Sequence, residues 1–182
     1  MKKMPTIFIR DLEKRNFVTD EINPVCQWVF DGEGEATQKI DGTCCMIKDG
    51  VYYKRRMVKK GKKDPAGFIF ADADSVTGKR FGWIPVNFDN KEDKYHVEAH
   101  HPGLPDGTYE LIGPKIQGNA ESLTRHILVN HQNTLIFNDC PRTYDGLKKW
   151  LEKKDIEGVV FHNPDGRMAK IKKRDFGLQR KS

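Results

Sequence analysis

The sequence has four cysteines but no CxxC pair, so it lacks the usual signature of a zinc site or a disulfide framework. Cys44 and Cys45 are adjacent, and neighbours on a strand point to opposite faces, which makes them poor joint ligands. All four, Cys26, Cys44, Cys45 and Cys140, are expected to be buried free thiols. No segment approaches the roughly 18 apolar residues of a membrane span. The opening stretch MKKMPTIFIRDLEKR has no apolar run of the kind a secretory signal needs. These absences set the expectation of an intracellular, most simply cytoplasmic, protein with no membrane partner. There is no internal repeat and no low-complexity segment beyond a short lysine-rich loop.

What is present fits one domain, residues 1–182, long enough to bury a core and too short for two full-sized ones. The charged fraction is 32% against 37% apolar, yet ten Phe and three Trp argue against disorder. A net charge of +6, with clusters at Lys54 to Arg56, Lys59 to Lys63 and Lys170 to Arg174, suits a polyanion such as nucleic acid or nucleotide phosphates. Lysine loops are as often simply solvated.

Strand patterns dominate. TIFIR is a short apolar run, and TCCMIK and VYYKRRMV flank Asp49-Gly50, which supplies the positive φ angles of a tight hairpin. The Gly-, Pro- and Asp-rich stretch 61–106 reads as long loops and short strands. GTYELIG and NTLIF read as strands, and ESLTRHILV fits either helix or strand. After Thr143, a capping residue, YDGLKKWLEKKD places Leu147, Trp150 and Leu151 on one helical face. IEGVVFH and RMAKIKKR flank Asn163-Pro164-Asp165-Gly166 as a second hairpin. The sum is an α+β domain built on antiparallel sheet.

Within it, Lys39-Ile40-Asp41-Gly42 is a weak signal alone. Glu110 sits mid-strand in TYELIG, and Glu157 precedes GVVF. Lys170 and Lys172 share one face of a strand because strand period is two, with Ile171 on the other. Like charges placed side by side repel, so such a pair belongs either in solvent or around a phosphate. His126 and His131, five apart, fit no clean face and read as structural or surface residues, and HVEAHH runs into Pro102 and a loop.

This set, in this order, resembles the motifs of the covalent nucleotidyltransferase superfamily, the ATP-dependent RNA and DNA ligases and the mRNA capping guanylyltransferases. Lys39 to Gly42 is similar to motif I, Arg55 in YYKRR to motif Ia, YELIG to motif III, EGVVF to motif IV and KIK to motif V. The likeness is strongest to the small stand-alone RNA ligase family that includes the vertebrate RNA ligase 1. It runs from MPTIFIRD through KIDGTCC, GWIPVN, ELIGPKIQGN and DGLKKWLEKKDIEGVVFHNPDG to KIKKRDFGL, with less chain here between KIDGTCC and ELIG.

The resemblance implies an antiparallel-sheet adenylation domain of the ATP-grasp-like DNA/RNA ligase type. No OB domain is expected, since ten residues follow Lys172. It implies ATP as co-substrate, Mg²⁺ or Mn²⁺ as the metal, and RNA with 5′-phosphate and 3′-hydroxyl ends as partner, handled by a monomer. Lys39 would be the nucleophile that becomes lysyl-AMP, with Lys170 and Lys172 catalytic beside it at the α-phosphate. Glu157 would hold the metal and contribute to the nucleotide site. Glu110 would take a ribose hydroxyl, Arg55 the sugar or phosphate, and Gln38 and Ile40 the adenine, with Phe137 or Val159 packing on its face or serving as core. An ordinary lysine, pKa ~10.4, is neutral about once per thousand at pH 7, so cations around Lys39 would have to disfavour its protonated form. The other readings are a DNA nick ligase, a GTP-dependent capping enzyme, or a catalytically inactive RNA-binding module.

Overall fold

The computed structural model describes residues 3–14 and 16–180. In chain order the elements are β1 (Phe8–Arg10), β2 (Val18–Ile22), α1 (Gln27–Phe30), β3 (Glu35–Lys39), β4 (Thr43–Lys48), β5 (Val51–Val58), β6 (Ile69–Ala73), β7 (Arg80–Pro85), α2 (Lys94–Ala99), β8 (Gly107–Ile112), β9 (Ile127–Asn130), α3 (Tyr144–Glu152), β10 (Gly158–His162) and β11 (Met168–Lys172), with short 3₁₀ turns between them. The fold is a sheet-rich α+β arrangement. No helix among the described residues is long and apolar enough to cross a membrane.

The chain divides into two compact units. A terminal unit joins Met4–Ile40 to the segment from Thr134 onward, and a middle unit comprises Asp41–Asn133 with Lys3.

In the terminal unit β3, β10 and β11 form an antiparallel sheet with β10 central, and β1 pairs with β2. Ala36, Val159, Phe161, Ala169 and Ile171 line one face of the three-stranded sheet. They are buried with Ile7, Phe8, Val29, Leu147 and Leu151 in one apolar core. Helix α3 forms as its sequence directs: the Thr143 hydroxyl accepts from the Gly146 N–H, and Leu147 and Leu151, one turn apart, are fully buried. The β10–β11 hairpin turns at Asn163 to Gly166, where Gly166 adopts φ +91° and Asn163 accepts the Asp165 N–H. Arg142 ties the loop after α1 in place, donating to the carbonyls of Val29 (2.7 Å), Glu33 (2.5 Å) and Gly34 (2.6 Å).

NTLIF does not form the expected strand. It makes one bridge, Thr37 to Ile136, and two flanking hydrogen bonds, Gln38 N–H to Leu135 O and Phe137 N–H to Ala36 O, which satisfy the outer edge of β3. Leu135 and Ile136 stay exposed. An apolar run of this length reads like a strand whether it has a ladder partner or only an edge to lean on.

The middle unit is a six-stranded antiparallel sheet in the order β6-β7-β5-β4-β8-β9. Asp49 and Gly50 turn the β4–β5 hairpin with φ of 51° and 72°, and Asp106 accepts the Asp49 N–H at 2.8 Å. Of ESLTRHILV, the ILV portion enters β9. The stretch 61–106 is more ordered than its composition suggests. It supplies β6 and β7 to the sheet and then α2, launched from a turn in which Asn90 accepts the Glu92 N–H. Cys45, Ile47, Tyr52, Tyr109 and Leu111 bury one sheet face.

Candidate active site

The terminal unit gathers the lysines. Register aligns Lys39 on β3 with Gly158 on β10 and Lys172 on β11, and the adjacent row is Thr37, Val160 and Lys170. Directly opposed residues share a face, so all three lysines project from the side away from the core. Gly158 is the gap in the first row. A Cβ there would lie 2.2 Å from Ile171 O and 2.7 Å from the Lys172 Cα, so only glycine allows β10 to approach β11 this closely.

Glu157, the residue before β10, fills the space between the lysines. It accepts from Lys39 Nζ at 2.5 Å and ion-pairs with Lys172 Nζ through its other oxygen. Its side chain and those of both partners are 11–15% exposed. Burial pushes the Glu157 carboxyl up, but the charges of Lys39 and Lys172 outweigh it and hold the group below its ordinary value. No acid among the described residues lies within ion-pair distance of Lys170. Burial first, then the charges of Lys172 and Lys39, bring its ammonium down to about 8.

The row carries three cations against one carboxylate, a net surplus suited to a polyphosphate. The strand end is held from behind by Asp175, 1% exposed, which accepts the Lys172 backbone N–H at 2.9 Å and pairs with Arg10 at 2.9 Å.

Gln38 pairs with Val159, which places it on the face opposite Lys39, and its N–H is committed to Leu135. The Ile40 carbonyl accepts from Lys39 Nζ at 3.3 Å. Val159 is fully buried, and Phe137 packs edge-on against Trp150 at 5.0 Å, so both serve the core.

Arg55 and Glu110 belong to the middle unit. Arg55 on β5 faces Trp83 on β7, its guanidinium 4.8 Å from the indole centre, and burial lowers its pKa. Glu110 on β8, 8% exposed, faces Cys44 on β4. The glycine of the KxDG stretch is explained here: a Cβ on Gly42 would meet Leu111 O at 2.3 Å and the Glu110 Cγ at 2.8 Å.

Glu110 also has a partner the sequence reading passed over. His131, one position beyond the Tyr109 to Asn130 pair, lies 2.9 Å from Glu110 Oε2 through Nε2 and 3.0 Å from Thr108 Oγ1 through Nδ1. Cys44, Glu110 and His131 bring one donor atom each within 4.8 Å of one another, a set that in chemical type suits zinc better than magnesium. Against a metal there, the Nε2 and Oε2 atoms already bond to each other, and Arg55 places a positive charge near the Cys44 thiol. Burial first, then the Glu110 charge, push that thiol up to about 12. Cys45 points into the core, as strand alternation requires. His126 is buried and pairs with Glu98 at 2.8 Å, a structural role.

The RNA ligase 1 family model matches residues 101–181. RNA ligase 1 of Pongo abelii is 24% identical over 263 aligned positions, covering 97% of this chain and 81% of that protein. This chain is similar to RNA ligase 1. The Danio rerio protein of the same name is 26% identical over 98% of this chain and 81% of its own length, and the Mus musculus protein 24% over 97% and 80%. The alignments to RNA ligase 1 are longer than the 182 residues here, so those relatives carry extra chain inside the matched region. The family model spans Glu110, His131, Glu157, Lys170 and Lys172 and begins after Lys39 and Arg55, which fall within the whole-chain alignments alone.

Proposed function

We propose that this protein is an ATP-dependent RNA ligase that works through a covalent lysyl-AMP on Lys39. The observation that carries the reading is the single row Lys39, Gly158, Lys172 with Glu157 bridging the two ammonium groups and Lys170 alongside. The likeness to proteins named RNA ligase 1 supports RNA as the substrate.

Lys39 donates to Glu157, so its lone pair is not available. Attack requires the amine to lose a proton and exchange that ion pair for the α-phosphorus. Lys170 and Lys172 can hold the α-phosphate oxygens as charge builds. The nitrogen then forms the bond to phosphorus and pyrophosphate leaves. In the second step AMP passes to the oxygen of an RNA 5′-phosphate and Lys39 is released. In the third, a 3′-hydroxyl attacks that phosphate, AMP leaves and the phosphodiester forms.

Glu157 is a hard oxygen donor in a partly sheltered position, which fits Mg²⁺ or Mn²⁺ retaining much of its water shell. When bound, such an ion supplies charge neutralisation at the phosphates. Glu110 and Arg55 would contact the sugar and its phosphate, and the Ile40 backbone the base.

Incubation with α-labelled ATP or GTP tests the reading. Label should enter the protein from ATP and be absent from Lys39→Ala. Label from GTP alone, or label that survives in Lys39→Ala, would overturn it. An RNA-binding module would bind RNA yet form no adduct from either nucleotide.

A further inference from the structure

We propose that His131, anchored by Thr108, is the positioning residue that aims Glu110 at the nucleotide ribose and so sets the preference for a ribonucleotide over a deoxy analogue. The inference rests on the nucleotide-binding part of the reading above and adds a residue to it.

The hydrogen-bond chemistry is directional. An ionised carboxylate only accepts, so the 2.9 Å contact at Glu110 Oε2 requires the Nε2 of His131 to carry a proton. In the neutral imidazole Nδ1 is then an acceptor, and Thr108 Oγ1, 3.0 Å away, is a hydroxyl able to donate to it. Thr108 and Glu110 are two apart on β8 and share a face. His131 follows directly from β9, whose register with β8 is continuous over Tyr109–Asn130, Glu110–Val129, Leu111–Leu128 and Ile112–Ile127. The ring is therefore fixed at both nitrogens by one strand.

A glutamate has three rotatable bonds, and freezing them on binding costs affinity. His131 removes that freedom beforehand and engages Oε2, leaving Oε1 of the same carboxylate to accept a ribose hydroxyl. Cys44, directly opposite, keeps its proton and adds no competing anion.

The experiment uses the full chain and two readouts. Protein-AMP formation is followed with ATP, 2′-deoxy-ATP and 3′-deoxy-ATP for wild type, His131→Ala, His131→Gln and Thr108→Val. Equilibrium binding of the same three nucleotides is followed in a Lys39→Ala background with and without His131→Ala, and thermal unfolding checks the fold of each variant.

The expected result is that His131→Ala loses about tenfold in KM for ATP, equivalent to about 1.4 kcal/mol. It should lose little in kcat and change little with one of the two deoxy analogues, so that discrimination against that analogue collapses. His131→Gln, which keeps an N–H donor, should recover part of the preference, and Thr108→Val should lose a smaller share. Equal losses with all three nucleotides, or unchanged selectivity, would overturn the proposal. So would stoichiometric zinc in the purified protein, because Nε2 would then be a ligand rather than a donor. If Lys39→Ala binds ATP with ribose selectivity that depends on His131 while wild type forms no adduct, the ligase chemistry fails and the role of His131 stands.

Discussion

Gly158→Ala tests the geometry of the lysine row without touching any of its charges. The added Cβ would lie 2.2 Å from the Ile171 carbonyl oxygen, against an ordinary contact of about 3.4 Å, so β10 and β11 must separate locally by about 1 Å. The obstacle is backbone, which cannot swing aside as a long side chain can. β10 is the central strand, bonded to β3 on its other edge, and Val159 beside Gly158 is fully buried, so the shift cannot be absorbed by moving β10 into solvent. Overpacking of this kind costs roughly 1–3 kcal/mol, and stretching the flanking ladder bonds adds about 1 kcal/mol. The total, about 3 kcal/mol, lowers the melting temperature of a chain this size by roughly 6–12 °C. The same displacement moves Lys172 away from Glu157 and Lys39, so protein-AMP formation should fall by tenfold or more at temperatures where the variant is folded. Circular dichroism melts and labelled-ATP incubation read the two effects. A variant that melts within 2 °C of wild type and labels normally would show that the close approach of β10 and β11 matters to neither stability nor the site.

Two further outcomes follow from half-buried cations. An ordinary lysine titrates near 10.5 and Lys170 at about 8, so between those values the unfolded chain binds a proton that the native chain does not. Stability from this group therefore rises with pH across that window, by about 3 kcal/mol in all. The urea midpoint of wild type relative to Lys170→Met should accordingly climb between pH 8 and pH 10.5, and parallel pH profiles would refute the assignment. Arg142→Ala strips the donors from the carbonyls of Val29, Glu33 and Gly34 and should cost about 3 kcal/mol in denaturant unfolding. Arg142→Lys should recover little, because a single ammonium cannot span three carbonyls as the planar guanidinium does; full recovery would show that charge alone is at work.

The parts of the fold legible from sequence are those set by local chemistry. Asp49-Gly50 and Asn163 to Gly166 announce their hairpins because positive φ and Asx turns are properties of a few adjacent residues. Helix α3 is announced by Thr143 and the 3.6-residue spacing of Leu147 and Leu151. NTLIF misleads because its strand-like composition says nothing about whether a partner edge exists, and the structure gives it one bridge to Thr37. Helix α2 is hidden in KYHVEA because six residues are too few for the helical period to declare itself, and its start depends on the Asn90 turn upstream. That β3 pairs with β10 rather than with the adjacent β4 is a choice between residues more than a hundred positions apart, and no local pattern carries it.

The candidate site divides the same way. Lys39, Glu157, Lys170 and Lys172 could be named from the order of short motifs and from strand period two, because a like-charged pair facing one side of a strand needs an explanation wherever it falls. Their mutual arrangement could not be named, since it depends on Gly158 lying between Lys39 and Lys172, a fact of register. Gln38 shows what register adds: the resemblance groups it with Lys39, but neighbours on a strand point to opposite faces. His131 illustrates the converse. Its spacing from His126 fits neither helix nor strand because the two have separate tasks. His126 binds Glu98, while His131 meets Glu110 only because β8 and β9 run antiparallel in a register that brings position 131 beside 108 and 110. A histidine whose partners lie on a neighbouring strand leaves no trace of them in its own segment.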